Sequence, residues 1–374
     1  MTAGASLGAL IRLFLRLGYS GFGGPLVHIA MMETEVVERR KWLSKEEFLH
    51  GLALCQMLPG PASTQLGVLI CYFQRGLLGG LVGGAAFVLP GFCVMLVLTL
   101  LYARFGAIPA LQGIFLGIAP AVIAVIGFSA WRLGRTACSN IGLGLVAIAG
   151  FFLTTLGEVD TVLVLILCGA VWVGYRVFSA HLATTQVWAL PVLAALAGPE
   201  VYARLAWLWV KMGALVYGGG YVIIPVVRGE AVDRWHWLTD RAFLDGLALG
   251  QITPGPIVNL SVFVGYQAGG ILGSLVAAVG VFAPAFAIVL AAAPLMERLK
   301  HWTRFRLFLQ GVNAAVVGAI VAATIPLARG AITSPFTAVV GGASLLALWR
   351  LKLDTVWLVL AAGAAGLLWR SLRG

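Results

Sequence analysis

The sequence predicts an all-α integral membrane protein composed of two homologous repeats. Of its 374 residues, 61% are hydrophobic and only 10% are charged, whereas a soluble domain carries about 25% charged residues. The mean hydropathy is +0.99, and the apolar runs are long enough to cross a bilayer. So few charged residues could not cover a water-facing surface, and a large soluble helical protein is therefore a poor alternative.

The repeat is visible in one segment of each half. Residues 42–61 read WLSKEEFLHGLALCQMLPGP, and residues 237–256 read WLTDRAFLDGLALGQITPGP. Twelve of these 20 positions are identical at an offset of 195, and such self-similarity indicates a duplicated structural unit. We predict an N-terminal repeat over 1–180, a C-terminal repeat over 198–374 and a connector over 181–197.

Each copy has the same order of elements. An apolar segment interrupted by glycines is followed by a charged amphipathic stretch, two short helical pieces on either side of Pro-Gly-Pro, and four apolar runs. In the first copy these elements are predicted at 7–26, 27–41, 44–58, 61–75, 80–103, 108–131, 141–157 and 160–178. In the second copy they are predicted at 202–225, 226–236, 239–253, 256–269, 271–296, 307–328, 331–349 and 353–369.

The pieces beside Pro-Gly-Pro are too short to span a membrane. A spanning helix needs about 20 residues, so we predict two re-entrant hairpins whose irregular backbone is satisfied by protein or by a watery cavity. Each copy then has five spans, about ten transmembrane helices in all, or seven spans if its hairpin crosses the membrane twice. Because both numbers are odd, the second copy enters from the opposite side, which predicts inverted-topology repeats. If each hairpin region crossed only once, the repeats would be parallel.

Charge and cysteine placement restrict the function classes. The net charge is +11, but the basic residues cluster in short connectors between apolar runs, as topology determinants do, which argues against a nucleic-acid partner. The five cysteines lie in apolar stretches without metal-binding spacing. Signatures of ATP binding, of serine hydrolases and of zinc enzymes do not occur. We expect no enzymatic activity, no metal and no cofactor.

The two glycine-rich breaks are the first candidate for a binding site. Residues 16–25 read RLGYSGFGGP, and residues 211–220 read KMGALVYGGG. Such breaks expose backbone N–H groups that bind anions, and a cation within an apolar segment is a functional candidate. Snorkelling of the two cations to lipid headgroups is the alternative. The candidate residues are Arg16, Gly23, Gly24, Lys211, Gly218 and Gly219.

The two Pro-Gly-Pro turns are the second candidate. Proline suits the first position of a helix, and glycine allows a tight turn. Uncharged hydroxyl and amide side chains lie around each turn and suit a tetrahedral oxyanion, whereas a simple hairpin turn is the alternative. The candidates are Gln56, Gly60, Ser63, Thr64 and Gln65 in the first copy and Gln251, Thr253, Gly255 and Asn259 in the second.

Three titratable residues near the breaks are candidates for proton coupling. His28 titrates near neutral pH when it is unperturbed, and Glu35 matches Glu230 at the repeat offset. An interfacial amphipathic helix with its own ion pairs is the alternative explanation for the two glutamates.

Several of these motifs together resemble the chromate ion transporter family, in its long, two-domain type. They are FGGPLVHI at 22–29, RRKWL at 39–43 and FLHGLALCQMLPGPASTQ at 48–65, and the resemblance covers nearly the whole chain. It implies a secondary transporter of the bacterial inner membrane that exports chromate and confers chromate resistance, with sulfate as the isosteric anion. The positions that match are Phe22, Gly23, Gly24, Pro25, His28, Gln56, Pro59, Gly60, Pro61, Ser63 and Gln65.

The second copy departs from this pattern, because Gly220 replaces Pro25, Ile223 replaces His28 and Val258 replaces Ser63. Any chemistry at His28 is therefore expected in one copy only.

We therefore expect export of a divalent tetrahedral oxyanion by alternating access. A dianion that leaves a negative interior gains about 4.6 kcal/mol per 100 mV, so export needs no coupled ion, although proton antiport is compatible with it. The alternatives are an importer or exchanger of sulfate or another oxyanion, an anion channel, and a membrane-embedded enzyme. The expected partners are chromate or a similar oxyanion and the lipid bilayer. A homodimer is left open.

Overall fold

The computed structural model describes residues 5–22, 25–106, 108–156, 160–178, 200–215, 220–295, 303–351 and 353–373. Over these residues the chain is helical and contains no β-strand, as the composition predicts. The first half contains α1 (Leu7–Ser20), α2 (Pro25–Glu33), α3 (Lys45–Met57), α4 (Ala62–Phe105), α5 (Pro109–Ala137), α6 (Ile141–Thr155) and α7 (Thr161–Phe178). The second half contains α8 (Glu200–Leu215), α9 (Ile223–Arg228), α10 (Asp240–Ile252), α11 (Leu260–Ala292), α12 (Thr303–Ala331), α13 (Pro335–Leu346) and α14 (Thr355–Arg373).

Short turns of other helix types connect some of these helices. π-helical turns at Thr34–Arg39, Gly229–Arg234 and Ala347–Leu351 follow α2, α9 and α13. 3₁₀ turns lie at Gly220–Val222, Ile257–Asn259 and Ala293–Leu295. The first two π-helical turns occupy equivalent positions at the repeat offset of 195.

Five of the described helices are long and apolar enough to cross a membrane, which supports a multi-pass membrane protein. The other five of the predicted spans correspond to α1, α6, α7, α8 and α13, which are shorter in the structure, and a count of ten spans stays a prediction. The five long spans are Ala62–Phe105, Ala110–Ala137, Ile257–Leu295, Leu307–Ala331 and Thr355–Leu372.

Polar caps set the starts of α3 and α10 at equivalent residues. The Ser44 hydroxyl accepts the Glu47 N–H at 3.1 Å, and the Glu47 carboxylate accepts the Ser44 N–H at 2.7 Å. In the second half, the Thr239 hydroxyl accepts the Ala242 N–H at 3.2 Å. Satisfying these otherwise free donors fixes where each helix begins.

The long helices α4 and α11 each contain a sharp reversal. It falls at Arg75–Gly76 in α4 and at Gly269–Gly270 in α11, where the backbone leaves helical geometry. The two segments of α11 run back along each other, since the Ser274 hydroxyl donates to the Val262 carbonyl at 2.8 Å. The reversals fall where the sequence predicts the second arm of each Pro-Gly-Pro hairpin to end.

Two hairpins are thereby defined, and each is closed by a Pro-Gly-Pro turn. Hairpin 1 consists of α3 and residues 62–74, and hairpin 2 consists of α10 and residues 257–268. The arms of each hairpin touch where a glycine faces a large side chain: a Cβ on Gly51 would lie 3.2 Å from Leu69, and one on Gly246 would collide with Phe263.

The two halves are packed crosswise. Helix α5 packs against α13 and α14 of the second half, and α12 packs against α6 and α7 of the first half. Helix α4 packs against α11, and α5 against α12, so that equivalent helices meet at the centre. Each of these contacts between the halves therefore has a counterpart with the roles of the halves exchanged.

Candidate functional site

The first Pro-Gly-Pro turn lies against a span of the second half. The Gln65 amide donates to the Pro59 carbonyl at 2.6 Å and to the Ala285 carbonyl of α11 at 3.4 Å. Gly60 in the turn has φ +126°, a conformation that favours glycine. One side chain thus closes the turn and fixes it to the opposite half.

The second turn lies against α4 in a corresponding way. The Asn259 amide donates to the Pro254 carbonyl at 3.2 Å, and a Cβ on Gly91 of α4 would lie 2.6 Å from that carbonyl oxygen. The Thr253 hydroxyl contacts the Met95 sulfur at 3.4 Å. Since Gly91 and Ala285 are equivalent positions at an offset of 194, the two turns occupy matching places.

The first glycine break is connected to the second turn. The Gly21 carbonyl accepts hydrogen bonds from the Gly255 N–H at 3.0 Å and from His28 Nε2 at 2.9 Å. Helix α1 ends at Ser20 and α2 begins at Pro25, so the predicted interruption is confirmed. Of the predicted site residues, Gly23, Gly24, Gly218 and Gly219 lie outside the described residues.

Buried polar atoms without a hydrogen-bond partner among the described residues surround the turns. A buried hydroxyl or amide without a partner costs about 1–3 kcal/mol, and such groups are rare unless they serve a ligand or water. Ser63, Thr64 and Gln65 are fully buried. The unpartnered atoms are His28 Nδ1, Ser63 Oγ, Thr64 Oγ1, Gln65 Oε1, Asn259 Oδ1 and Ser261 Oγ, whereas the Gln251 amide interacts with the Tyr221 hydroxyl.

Three of these atoms are donors that suit an oxyanion. The hydroxyls of Ser63, Thr64 and Ser261 can donate, and α4 begins after Pro61 without a side-chain cap, which leaves backbone N–H groups at a helix N-terminus. The remaining amide oxygens accept, which suits a bound water or the hydroxyl of a protonated oxyanion.

Ser261 was missed by the sequence reasoning, which stopped at Asn259. Its signal was a polar residue in an apolar stretch two positions further on.

Arg16 and Lys211 are equivalent in sequence but not in surroundings. The Lys211 ammonium is largely buried and lies 2.8 Å from a Glu230 oxygen and 3.3 Å from an Asp160 oxygen. Arg16 is exposed, and its guanidinium has no hydrogen bond or ion pair within the described part of the chain. The first cation is therefore exposed, whereas the second is already neutralised.

Glu35 and Glu230 form ion pairs on the two equivalent π-helical turns. Glu35 pairs with Arg39 at 2.8 Å and Arg40 at 3.2 Å, and Glu230 pairs with Lys211 and, at 3.3 Å, with Arg234. Burial opposes the ionisation of Glu35, but the two arginines outweigh it and lower the pKa of its carboxyl group. Glu35 is therefore ionised at neutral pH.

A buried carboxyl group that the sequence reasoning did not single out lies on α10. Asp245 is 4% exposed, and its Oδ2 accepts a hydrogen bond from the Tyr102 hydroxyl of α4 at 2.9 Å. Its Oδ1 has no partner among the described residues. The available signal was an acidic residue within the apolar arm FLDGLALG.

The two hairpin arms α3 and α10 have different surroundings. Helix α10 packs against α5, α12 and α14, whereas the extensive contact of α3 among the described residues is with α4. Leu49 is 47% exposed, but the equivalent Leu244 is fully buried. Ala53 and Gln56 are exposed, whereas Ala248 is buried and Gln251 is half-buried. One arm is thus exposed and its counterpart is buried.

Two other features of the described structure offer no alternative to the polar site at the Pro-Gly-Pro turns. An apolar groove of about 520 Å³ between α4 and α11 is lined by Leu77, Phe286 and Leu290, among others, without a polar side chain. Among the residues that the structure describes, no group of three or more His, Cys, Asp or Glu side chains could hold a metal ion.

Comparison with known proteins gives one family. A family model described as "Chromate transporter" matches residues 8–175 and 203–367. The chain is 33% identical to a chromate transport protein of Cupriavidus metallidurans over 97% of this chain and 93% of the relative. It is 36% identical to a chromate transport protein of Pseudomonas aeruginosa over 96% and 91%. It is 31% identical to a probable chromate transport protein of Synechococcus elongatus over 98% and 96%. No solved structure matches the chain.

Proposed function

The chain belongs to the chromate transporter family, and from this premise we propose that it exports chromate across the bacterial inner membrane and confers chromate resistance. Relatives named as chromate transport proteins align over more than nine-tenths of both chains. The direction follows from charge, since a dianion that leaves a negative interior gains about 4.6 kcal/mol per 100 mV.

The mechanism we propose is alternating access between two inverted repeats, at 1–180 and 198–374. Crosswise contacts with exchanged roles and matching positions of the two turns support a pseudo-two-fold relation between the halves. The unequal exposure of α3 and α10 supports a transporter in one of its two states, with hairpin 1 open and hairpin 2 closed. The opposite state would exchange these two environments.

The substrate site we propose lies at the two Pro-Gly-Pro turns. The observation that carries it is the set of buried donors without partners among the described residues, with Ser63 and Thr64 at the start of one helix and Ser261 near the other turn. These donors are uncharged and satisfy an oxyanion without the cost of burying a cation. The exposed Arg16 adds positive potential near the first break, whereas Lys211 is already balanced by Glu230 and Asp160.

The experiment is uptake of labelled chromate into inverted membrane vesicles, which reports export. Replacing Ser63→Ala and Thr64→Val together removes two donors, and a hydrogen bond to a charged group is worth about 1.5–3 kcal/mol. We expect the apparent affinity for chromate to fall about tenfold or more per hydroxyl. Because neither hydroxyl has a partner in the described structure, protein stability should stay the same within about 1 kcal/mol.

The matched control is Thr99→Val, which removes a buried hydroxyl whose only bond among the described residues is to the Met95 carbonyl, and it should leave chromate affinity unchanged. Excess unlabelled sulfate in the same assay distinguishes a chromate exporter from a general oxyanion transporter. Absence of uptake by the wild type would refute chromate export. Normal chromate uptake by the Ser63/Thr64 variant would show that the first Pro-Gly-Pro turn does not bind the substrate.

A further inference from the structure

Hairpin 2 lies antiparallel along the segment of α4 that follows the reversal at Arg75–Gly76. Contacts with α4 extend from the Pro-Gly-Pro turn to the middle of α10. The successive pairs are Pro254 with Gly91, Thr253 with Met95, and Asp245 with Tyr102. We call this contact the α4 seam. Asp245 lies eight residues from Thr253, about 12 Å along a helix.

The far end of the α4 seam holds a buried carboxyl group with an incomplete set of hydrogen bonds. Tyr102 donates to one oxygen of Asp245, and the other oxygen has no partner among the described residues. The surroundings are aromatic, since the Tyr102 ring packs edge-on against Phe115 of α5 and Phe263 of α11.

Few groups offset the charge of this carboxylate. Among the described residues, the groups that act on Asp245 are the Tyr102 hydroxyl of α4 and the guanidinium of Arg241 on its own helix. Arg241 is exposed, so its influence is screened by solvent. Desolvation therefore favours the neutral, protonated carboxyl group in the closed position of hairpin 2.

The equivalent position in the open arm indicates what opening does to Asp245. At the repeat offset Asp245 corresponds to His50, which is half-buried on α3, between the exposed Leu49 and Ala53. If α10 takes up the position that α3 occupies, Asp245 gains access to water and can release its proton.

We propose that Asp245 is a proton-binding site whose occupancy is linked to the closure of hairpin 2 along the α4 seam. This inference rests on the proposed alternating access, but not on the identity of the transported anion. A site that binds a proton more tightly in one of two conformations makes their equilibrium depend on pH. Closure is therefore favoured at low pH and is lost as the pH rises.

The test uses a thiol reporter on the buried face of α10, Ala248→Cys, in the full-length protein. Cys93 and Cys138 are replaced by serine because they are at least partly exposed, whereas the other three native thiols are buried. The labelling rate with a membrane-impermeant maleimide in open membrane fragments is compared with that of the same reporter carrying Asp245→Asn. The ratio of the two rates cancels the pH dependence of the thiol itself.

We expect the ratio of labelling rates, parent over Asp245→Asn, to rise about tenfold between acidic and alkaline pH, which corresponds to a one-unit difference in proton affinity between the two positions. Asp240→Asn is the matched control: it removes the same charge from the same helix, at a partly exposed carboxylate that is paired with Arg228, and it should behave as the parent. A ratio that is constant with pH would overturn the proposal.

A second variant keeps the proposal testable if Asp245→Asn does not fold. Tyr102→Phe removes the hydrogen bond that stabilises the ionised carboxylate, so the pH profile of the reporter should move about one unit to alkaline pH. An unmoved profile would contradict the role of Asp245. Chromate uptake without pH-dependent labelling would refute the proton site alone, whereas pH-dependent labelling without chromate uptake would refute the substrate alone.

Discussion

At the scale of single residues, Gly21 shows how the first half accommodates a buried histidine. Its carbonyl accepts hydrogen bonds from His28 and Gly255, and a Cβ at this position would collide with the His28 ring. At the repeat offset the second half has Val216 and Ile223. The half that has valine in place of Gly21 thus also lacks a histidine in place of His28.

We therefore predict that Gly21→Ala lowers the free energy of unfolding by about 1–3 kcal/mol, because the added methyl group overpacks the His28 site. The double variant Gly21→Ala with His28→Ile should recover most of this loss. Thermal unfolding in detergent measures both. Gly8→Ala is the control: no atom lies near its Cβ position, and at this exposed helical position the substitution should be neutral or slightly stabilising. Equal effects at both glycines would contradict the collision.

At the scale of elements, both halves connect the start of the first hairpin arm to the preceding segment by an ion pair of opposite polarity. In the first half Glu33 pairs with Lys45. In the second half Arg228 lies 2.8 Å from Asp240. These four residues are equivalent at the offset of 195, so the contact is retained although both charges are exchanged.

Exchanging the charges of the first pair should therefore be tolerated. We predict that Glu33→Arg or Lys45→Asp alone lowers stability by up to about 1 kcal/mol, as for other solvent-accessible pairs, and that the double variant restores it. A double-mutant cycle of thermal unfolding gives the coupling energy. Additive losses would show that the pair does not interact, and the exposed Glu200–Arg204 pair of α8 provides a reference.

The local sequence pattern was sufficient to predict the helices, but it was not sufficient to predict the contacts between them. The duplicated segment and the helix breaks placed the arms 44–58 and 239–253 within a few residues of α3 and α10. The Tyr102–Asp245 bond joins residues 143 positions apart, and the Lys211–Asp160 pair joins residues 51 apart, so neither leaves a periodic trace in one sequence. The duplicated segments also predict that α3 and α10 have the same surroundings, whereas tertiary packing leaves α3 exposed and buries α10.

At the scale of the whole molecule, this inequality is the main departure from two-fold symmetry. The two arms are identical at seven of 13 positions, and identical residues such as Leu49 and Leu244 differ in burial, so the difference at these positions comes from the helices around them. A transporter that alternates between two states needs such an arrangement, in which either hairpin can be the closed one.

We predict that a membrane-impermeant maleimide labels Ala53→Cys rapidly and Ala248→Cys slowly, since these equivalent residues are exposed and buried respectively. Adding chromate shifts the balance between the states, so the two rates should change in opposite directions. Labelling rates in membrane fragments open to both sides measure this. If lipid rather than water covers the exposed face of α3, Ala53→Cys will not react, and hairpin 1 is then not open.

The crosswise packing of α5 and α12 also has a consequence for biosynthesis. When α5 leaves the ribosome, its partners α13 and α14 lie about 200 residues further along the chain. At the usual elongation rates of about 5–20 residues per second, this delay lasts on the order of tens of seconds. During this time Gly113 and Gly117 of α5, which pack against α14 in the folded protein, lack these native contacts, and we expect this surface to be recognised by insertion chaperones and membrane proteases.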